Sequence, residues 1–318
     1  MAGACDTLCA MPPAPDDSVV AVDGPWRHRT VSANGARFHV AEAGHGPLVL
    51  LLHGFPQFWW SWRHQLAGVA DAGFRVVAVD LRGYGASDKP PRGYDAYTLS
   101  ADVAGMVRAL GERNAVIVGQ DFGGLLAWSV AAMHPRVVRS LVVLGMPHPL
   151  RLRAALLTDP RGQLRSSALL FGFQTPRLPE SMILAEDAAY VERLLRSWSG
   201  PHWAATADFA DAASRYREAI QIPAAAHCAM EYYRWMGRSM VRPSGWRFAK
   251  LLQAPIIAPT LQLHGALDPC LLPRTAQGSG RYVAATYEWQ LVPGAGHFVP
   301  EEAPDFVTGE LVRWAKDS

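Results

Sequence analysis

Val116-Ile117-Val118-Gly119-Gln120-Asp121-Phe122-Gly123-Gly124 runs from a β-branched apolar stretch into a turn with glycines two places either side of Asp121. Asn114 to Gly119 has the character of a buried parallel strand, and Leu125 to Met133 that of a small-residue helix. Asp121 therefore falls on a strand-to-helix turn. Gly119 and Gly123 let the backbone turn sharply and let strand and helix approach closely. The spacing is that of a nucleophile elbow, GxDxG in place of GxSxG, and no serine in the chain is flanked by glycines in this way. An Asp before a helix is often only an N-cap accepting backbone N–H groups. Three further segments raise the chemical reading above that one.

Pro47-Leu48-Val49-Leu50-Leu51-Leu52-His53-Gly54-Phe55-Pro56 is a second buried strand ending in a glycine loop, followed by the aromatic run Phe58-Trp59-Trp60-Ser61-Trp62. Val292-Pro293-Gly294-Ala295-Gly296-His297-Phe298-Val299-Pro300 places one histidine on a glycine-rich loop after the last strand-like run, Thr286 to Leu291. Pro259 to Pro269 is a strand followed by a tight turn carrying Asp268. The chain order nucleophile, acid, histidine is met by Asp121, Asp268 and His297, with Asp268 placed to orient the imidazole.

Strand-like runs near 37–43, 48–52, 75–80, 115–118, 138–144, 260–263 and 287–292 alternate with helical patterns near 61–70, 100–110, 123–133 and 304–314. Such alternation makes a parallel sheet, whose catalytic loops gather at the carboxyl ends of the strands. Residues 147–250 break the alternation, as a cap inserted into an α/β domain would. The expected organisation is a flexible extension over 1–23, a core from 24–146 and 251–318, and a helical lid over 147–250. Half of the 318 residues are apolar, enough for one large core. No apolar run approaches a membrane span.

A net charge of +2 without a basic run argues against nucleic acid. Residues 150–250 carry fourteen Lys/Arg against nine Asp/Glu, which reads as a solvated helical surface. Cys5, Cys9, Cys228 and Cys270 show neither a disulfide framework nor metal-ligand spacing. The segment 1–23 lacks the features of a signal peptide, and Met11 is an alternative start. The expectation is a cytoplasmic protein needing no metal and no cofactor, with a homodimer left open.

From Trp26 to Trp314 the chain resembles the epoxide hydrolases of the α/β-hydrolase superfamily. The resemblance is carried by His53-Gly54-Phe55-Pro56, Asp80-Leu81-Arg82-Gly83-Tyr84-Gly85-Ala86-Ser87, Gly119-Gln120-Asp121-Phe122-Gly123-Gly124, the Asp268 turn and Gly296-His297-Phe298. It implies an α/β-hydrolase fold with an eight-stranded, mostly parallel sheet, a helical cap inserted after the sixth strand, and a cis bond at Phe55-Pro56. It also implies an oxyanion hole from the Phe55 and Phe122 amides, a ring-opening acid at Tyr233 in Glu231-Tyr232-Tyr233-Arg234-Trp235, and a detoxifying role. A first lid tyrosine is expected four residues before Phe173 of Phe173-Gln174-Thr175-Pro176, and Leu169 stands there instead.

An aspartate is ionised at neutral pH and can attack a saturated carbon directly, whereas a serine needs a base. The expected reaction opens an apolar epoxide to an alkyl ester on Asp121. A neutral His297 then activates water against that ester. The substrate pocket is expected from His53, Pro56, Trp59, Gln120, Leu169 and Trp235, with Phe55, Phe58, Trp60 and Phe122 adding aromatic surface. A dehalogenase would use the same acid set, but Phe55 and Phe122 offer no side-chain donor to a halide or carboxylate. A binding protein on the same scaffold is the alternative outside catalysis.

Overall fold

The computed structural model describes residues 14–318. Eight strands form one sheet in the order β1-β2-β4-β3-β5-β6-β7-β8. They are β1 (Arg27–Ala33), β2 (Ala36–Ala43), β3 (Leu48–Leu52), β4 (Arg75–Val79), β5 (Ala115–Gln120), β6 (Val138–Leu144), β7 (Thr260–Gly265) and β8 (Tyr287–Val292). β1 and β2 run antiparallel at one edge, and from β4 to β8 every pairing is parallel. Every residue of β3 and β5 is buried, as expected of apolar strands covered on both faces. The helices α1 (Arg63–Asp71), α2 (Ala96–Ala109) and α3 (Phe122–Met133) lie between core strands. Between β6 and β7 come α4 (Pro149–Thr158), α5 (Gln163–Ser166), α6 (Ala168–Gly172), α7 (Leu178–Trp198), α8 (Ala207–Ile220), α9 (Ala225–Val241) and α10 (Pro243–Leu251). The short α11 (Pro273–Gln277) and α12 (Val299–Glu302) precede the C-terminal α13 (Pro304–Asp317). No helix among the described residues is long and apolar enough to cross a membrane.

The fold is the expected one: an eight-stranded, mostly parallel sheet with helices threaded between its strands, and Phe55-Pro56 is cis. Three details differ from the sequence reading. β1 was not anticipated: only Val31 and Ala33 of Arg-His-Arg-Thr-Val-Ser-Ala are buried, because the strand pairs on one side alone. The aromatic run forms a 3-10 turn over Trp59–Trp62, all four side chains buried, and α1 starts after it. Of the extension expected to be flexible over 1–23, residues 1–13 lie outside the described part. Residues near 20 are packed: Val20 is buried, its carbonyl accepts Trp59 Nε1–H at 2.8 Å, and the Val22 carbonyl accepts Trp26 Nε1–H at 2.8 Å.

Candidate active site

β5 delivers Asp121 onto the turn before α3, with φ 50° and ψ −120°. Non-glycine residues avoid that region, so the surrounding packing must hold the strain. A Cβ on Gly119 would overlap the Gly123 carbonyl, and one on Gly123 would overlap the Leu52 carbonyl. The two glycines therefore let α3 pack directly against β5 and β3. Gly119→Ala is expected to destabilise the fold by about 1–3 kcal/mol through overpacking, read as a lowered midpoint in urea.

Asp121 does not cap α3, the commonest use of an aspartate in this place. Its Oδ2 accepts the Phe55 N–H at 2.9 Å instead. Its Oδ1 lies 3.7 Å from His297 Nε2. Phe122 opens the helix, where backbone N–H groups have no intrahelical acceptor.

The His297 loop follows β8 and the Asp268 turn follows β7, adjacent strands in the sheet. His297 Nδ1 lies 2.8 Å from Asp268 Oδ2, while Asp268 Oδ1 accepts the Cys270 and Leu271 N–H groups at 2.8 and 2.9 Å. Burial opposes ionisation of Asp268, but the imidazole beside it and these amides hold its carboxyl below the ordinary value. Burial also opposes charging of His297. The Asp268 and Asp121 carboxylates outweigh it and raise the imidazole to about 10. With both carboxylates ionised the imidazole favours its charged form in the free protein, and the neutral ring expected for ester hydrolysis requires that one of those charges be removed first.

The loop carrying this imidazole is tied to the helices between β6 and β7. The His297 N–H donates to the Trp198 carbonyl at 2.8 Å, and the Trp198 ring meets the imidazole edge to face with centroids 5.3 Å apart. Glu302 accepts N–H groups from Gly200 and Gly296 at 2.7 Å and from Phe298 at 2.8 Å. Gln120 Nε2 donates to the His297 carbonyl at 3.1 Å. Sequence reasoning missed Trp198 and Glu302. Trp198 stands in no motif, and only the tertiary fold brings it to residue 297.

A mostly apolar cavity opens above Asp121. Phe122, Leu169, Trp198, Tyr233, Met146 and Cys270 are among its walls. The Tyr233 ring lies edge-on to Phe122 and Phe173 at 4.8 and 4.9 Å, and to Phe55 at 5.3 Å. Burial and the nearby Asp121 charge push its phenol well above the ordinary value, so it stays protonated. Tyr233 is the one tyrosine lining this cavity among the described residues.

Several expected pocket residues lie elsewhere. His53 is fully buried behind the site, accepting the Leu81 N–H at Nε2 and donating from Nδ1 to the Gly54 carbonyl. Trp59 packs toward residues 20–28, and its backbone N–H donates to Asp80. Trp235 stacks edge-on against Phe248. It sits two residues, about 200°, around α9 from Tyr233, on the opposite side of the helix. Pro56 and Gln120 are not cavity walls; Gln120 braces the histidine loop from beneath.

A family profile described as alpha/beta hydrolase fold matches residues 47–304. "Epoxide hydrolase 4" of Mus musculus is 32% identical over 292 residues, spanning 90% of this chain and 78% of its own length. The chain belongs to the epoxide hydrolase family of the α/β-hydrolases. "AB hydrolase superfamily protein YfhM" of Bacillus subtilis is 31% identical over 294 residues, 90% of this chain and 97% of the relative. The crystal structure of Epoxide Hydrolase A from Mycobacterium thermoresistibile superposes with a TM-score of 0.76 at 28% identity, over 92% of this chain and 98% of that one. Membership of this epoxide hydrolase family makes the protein a hydrolase of the α/β-hydrolase type.

Proposed function

We propose that the protein hydrolyses an apolar epoxide to a vicinal diol through a covalent ester on Asp121. One observation supports this above the others: Asp121 spends no oxygen on its helix, has Oδ2 held by the Phe55 amide, and turns Oδ1 toward His297. Oδ1 attacks a ring carbon and the carbon–oxygen bond of the epoxide breaks. The alkoxide so formed takes the Tyr233 phenol proton. Esterification removes the Asp121 charge, one of the two anions that keep His297 protonated. The imidazolium proton then passes to the Tyr233 phenolate, leaving a neutral base.

Water gives a proton to His297 Nε2 and adds to the ester carbonyl carbon. The developing oxyanion is the oxygen held by the Phe55 amide, joined by that of Phe122, a contribution of about 3–4 kcal/mol per donor. Collapse expels the diol, which takes the proton back from His297. The freed Asp121 acid reprotonates the imidazole, so the resting charges return and one water is consumed. Asp268 orients the ring throughout.

The same reading assigns residues 24–146 and 251–318 to a catalytic core and 147–250 to a cap that shields the ester from bulk water. It places the protein in the cytoplasm, where the thiols of Cys228 and Cys270, both unpaired, stay reduced.

The deciding experiment uses water enriched in heavy oxygen over many turnovers with an aryl epoxide. Label should accumulate in the Asp121 carboxylate, read by mass of the peptide that contains it. Label confined to the diol would mean direct attack by water and end the proposal. Tyr233→Phe should slow ester formation by about 10²–10⁴-fold, because Leu169 supplies no second acid. Stopped-flow measurement should find the hydrolysis of preformed ester much less affected.

A further inference from the structure

Residues 232–267 contain five Lys/Arg and no Asp or Glu, although the whole chain carries only +2. The structure gathers the centre of this stretch onto one face. Gly245 and Phe248 of α10 and Leu252 just after it turn inward, and Trp246, Arg247, Lys250 and Leu251 turn outward. Trp246 is 56% exposed, Leu251 45%, and Val241 just before the helix 72%. Among the described residues Arg242, Arg247 and Lys250 form no ion pair. Asp95 is the one acid in the groove beside Arg242, Arg247 and Lys250, so the cations remain in excess, and bulky apolar side chains interleaved with excess cations are what a helix lying in a lipid headgroup layer presents.

We propose that the α10 face docks the protein on an anionic bilayer. Charge complementarity favours that occupant. Arg234 and Arg238 are paired with Glu180 and Glu231, which leaves Arg242, Arg247 and Lys250 as the cations without an ion pair, and Trp246 is of the type that prefers the boundary between headgroups and acyl chains. The position also suits the chemistry. An apolar cavity beneath α10, lined by Phe248 and Leu252, shares Leu152, Leu156, Leu170 and Met236 with the cavity at Asp121. An apolar substrate dissolved in the bilayer would meet an apolar cavity that shares these four side chains as a wall with the one at the carboxylate. That second step rests on the epoxide reading; the docking itself does not.

The test uses the full chain and flotation with vesicles, either phosphatidylcholine alone or phosphatidylcholine mixed with phosphatidylglycerol. The protein should float with the mixed vesicles and be released as salt rises. Arg247→Gln with Lys250→Gln should weaken that binding roughly thirtyfold. Trp246→Ala should weaken it while leaving the salt dependence unchanged. Equal binding to both vesicle types, or full binding by the double variant, would overturn the proposal. So would self-association through this face, seen as a dimer in sedimentation that Trp246→Ala dissolves. Turnover of a small water-soluble epoxide should be the same in all variants; its absence in every protein, wild type included, would instead strike at the epoxide reading.

Discussion

Asp121→Ala should abolish diol formation, lowering kcat by on the order of 10⁴–10⁶-fold, the scale seen when a residue forming the covalent intermediate is removed. The size follows from position. No other carboxylate is among the residues lining the cavity, and burial beside Asp268 and Asp121 keeps the Cys270 thiol protonated, so no ionised substitute faces the substrate among the described residues. The loss should be chemical and not structural. The side chain contributes no helix cap, and its one direct hydrogen bond comes from the Phe55 amide. Aspartate tolerates φ 50° only somewhat better than alanine, so the fold should survive with a modest fall in melting temperature from the lost attraction to the charged imidazole. His297 offers an independent readout: with one of its two anions gone, its pKa should fall below about 10, measurable by NMR titration of the ring. Diol production persisting in a folded Asp121→Ala protein would remove the ester mechanism.

The parts legible in the sequence share one property: each lies in a glycine-containing loop directly after a strand-like run. His53-Gly54 and Gly119 to Gly123 follow runs whose burial is written in their composition, whereas Gly294 to Gly296 follow the partly exposed β8 and are marked by their glycines alone. Sheet order then brings Asp121, Asp268 and His297 together, because β3, β5, β6, β7 and β8 are consecutive neighbours and these loops sit at one end. The edge strand β1 was harder to read because its sequence is polar. Yet Asn34-Gly35, with φ of 47° and 75°, is a two-residue hairpin turn that signals the pairing. Aromatic character does not carry direction: Tyr233 lines the cavity at Asp121, whereas Trp235, about 200° further around the same helix, lines the neighbouring cavity beneath α10. The three residues of the set are legible in the sequence, but the size of the shift at His297 is not. It depends on two carboxylates from positions 121 and 268 converging on one buried ring, a sum that local sequence does not contain.

His297→Gln should leave ring opening intact and stop the reaction at the ester. The expected result is a stoichiometric mass increase on the peptide containing Asp121, equal to the mass of the epoxide, with steady-state turnover reduced by about 10³-fold or more. Glutamine can still donate an amide N–H to the Asp268 carboxylate and fill the space, but it cannot take a proton from water. The resting charge state sharpens the expectation. In the free protein the imidazole is raised to about 10, so it is protonated at neutral pH and no base is present before Asp121 is alkylated. Esterification neutralises Asp121 and lowers that pKa. Ester hydrolysis in single turnovers should therefore show an acid limb well below 10, with rate lost as pH falls through the lowered value because the protonated ring cannot accept water's proton. Ester formation should show no such limb, since Asp121 attacks without a base. If the two half-reactions share one acid limb near 10, or if His297→Gln hydrolyses its ester at the wild-type rate, His297 is not the base.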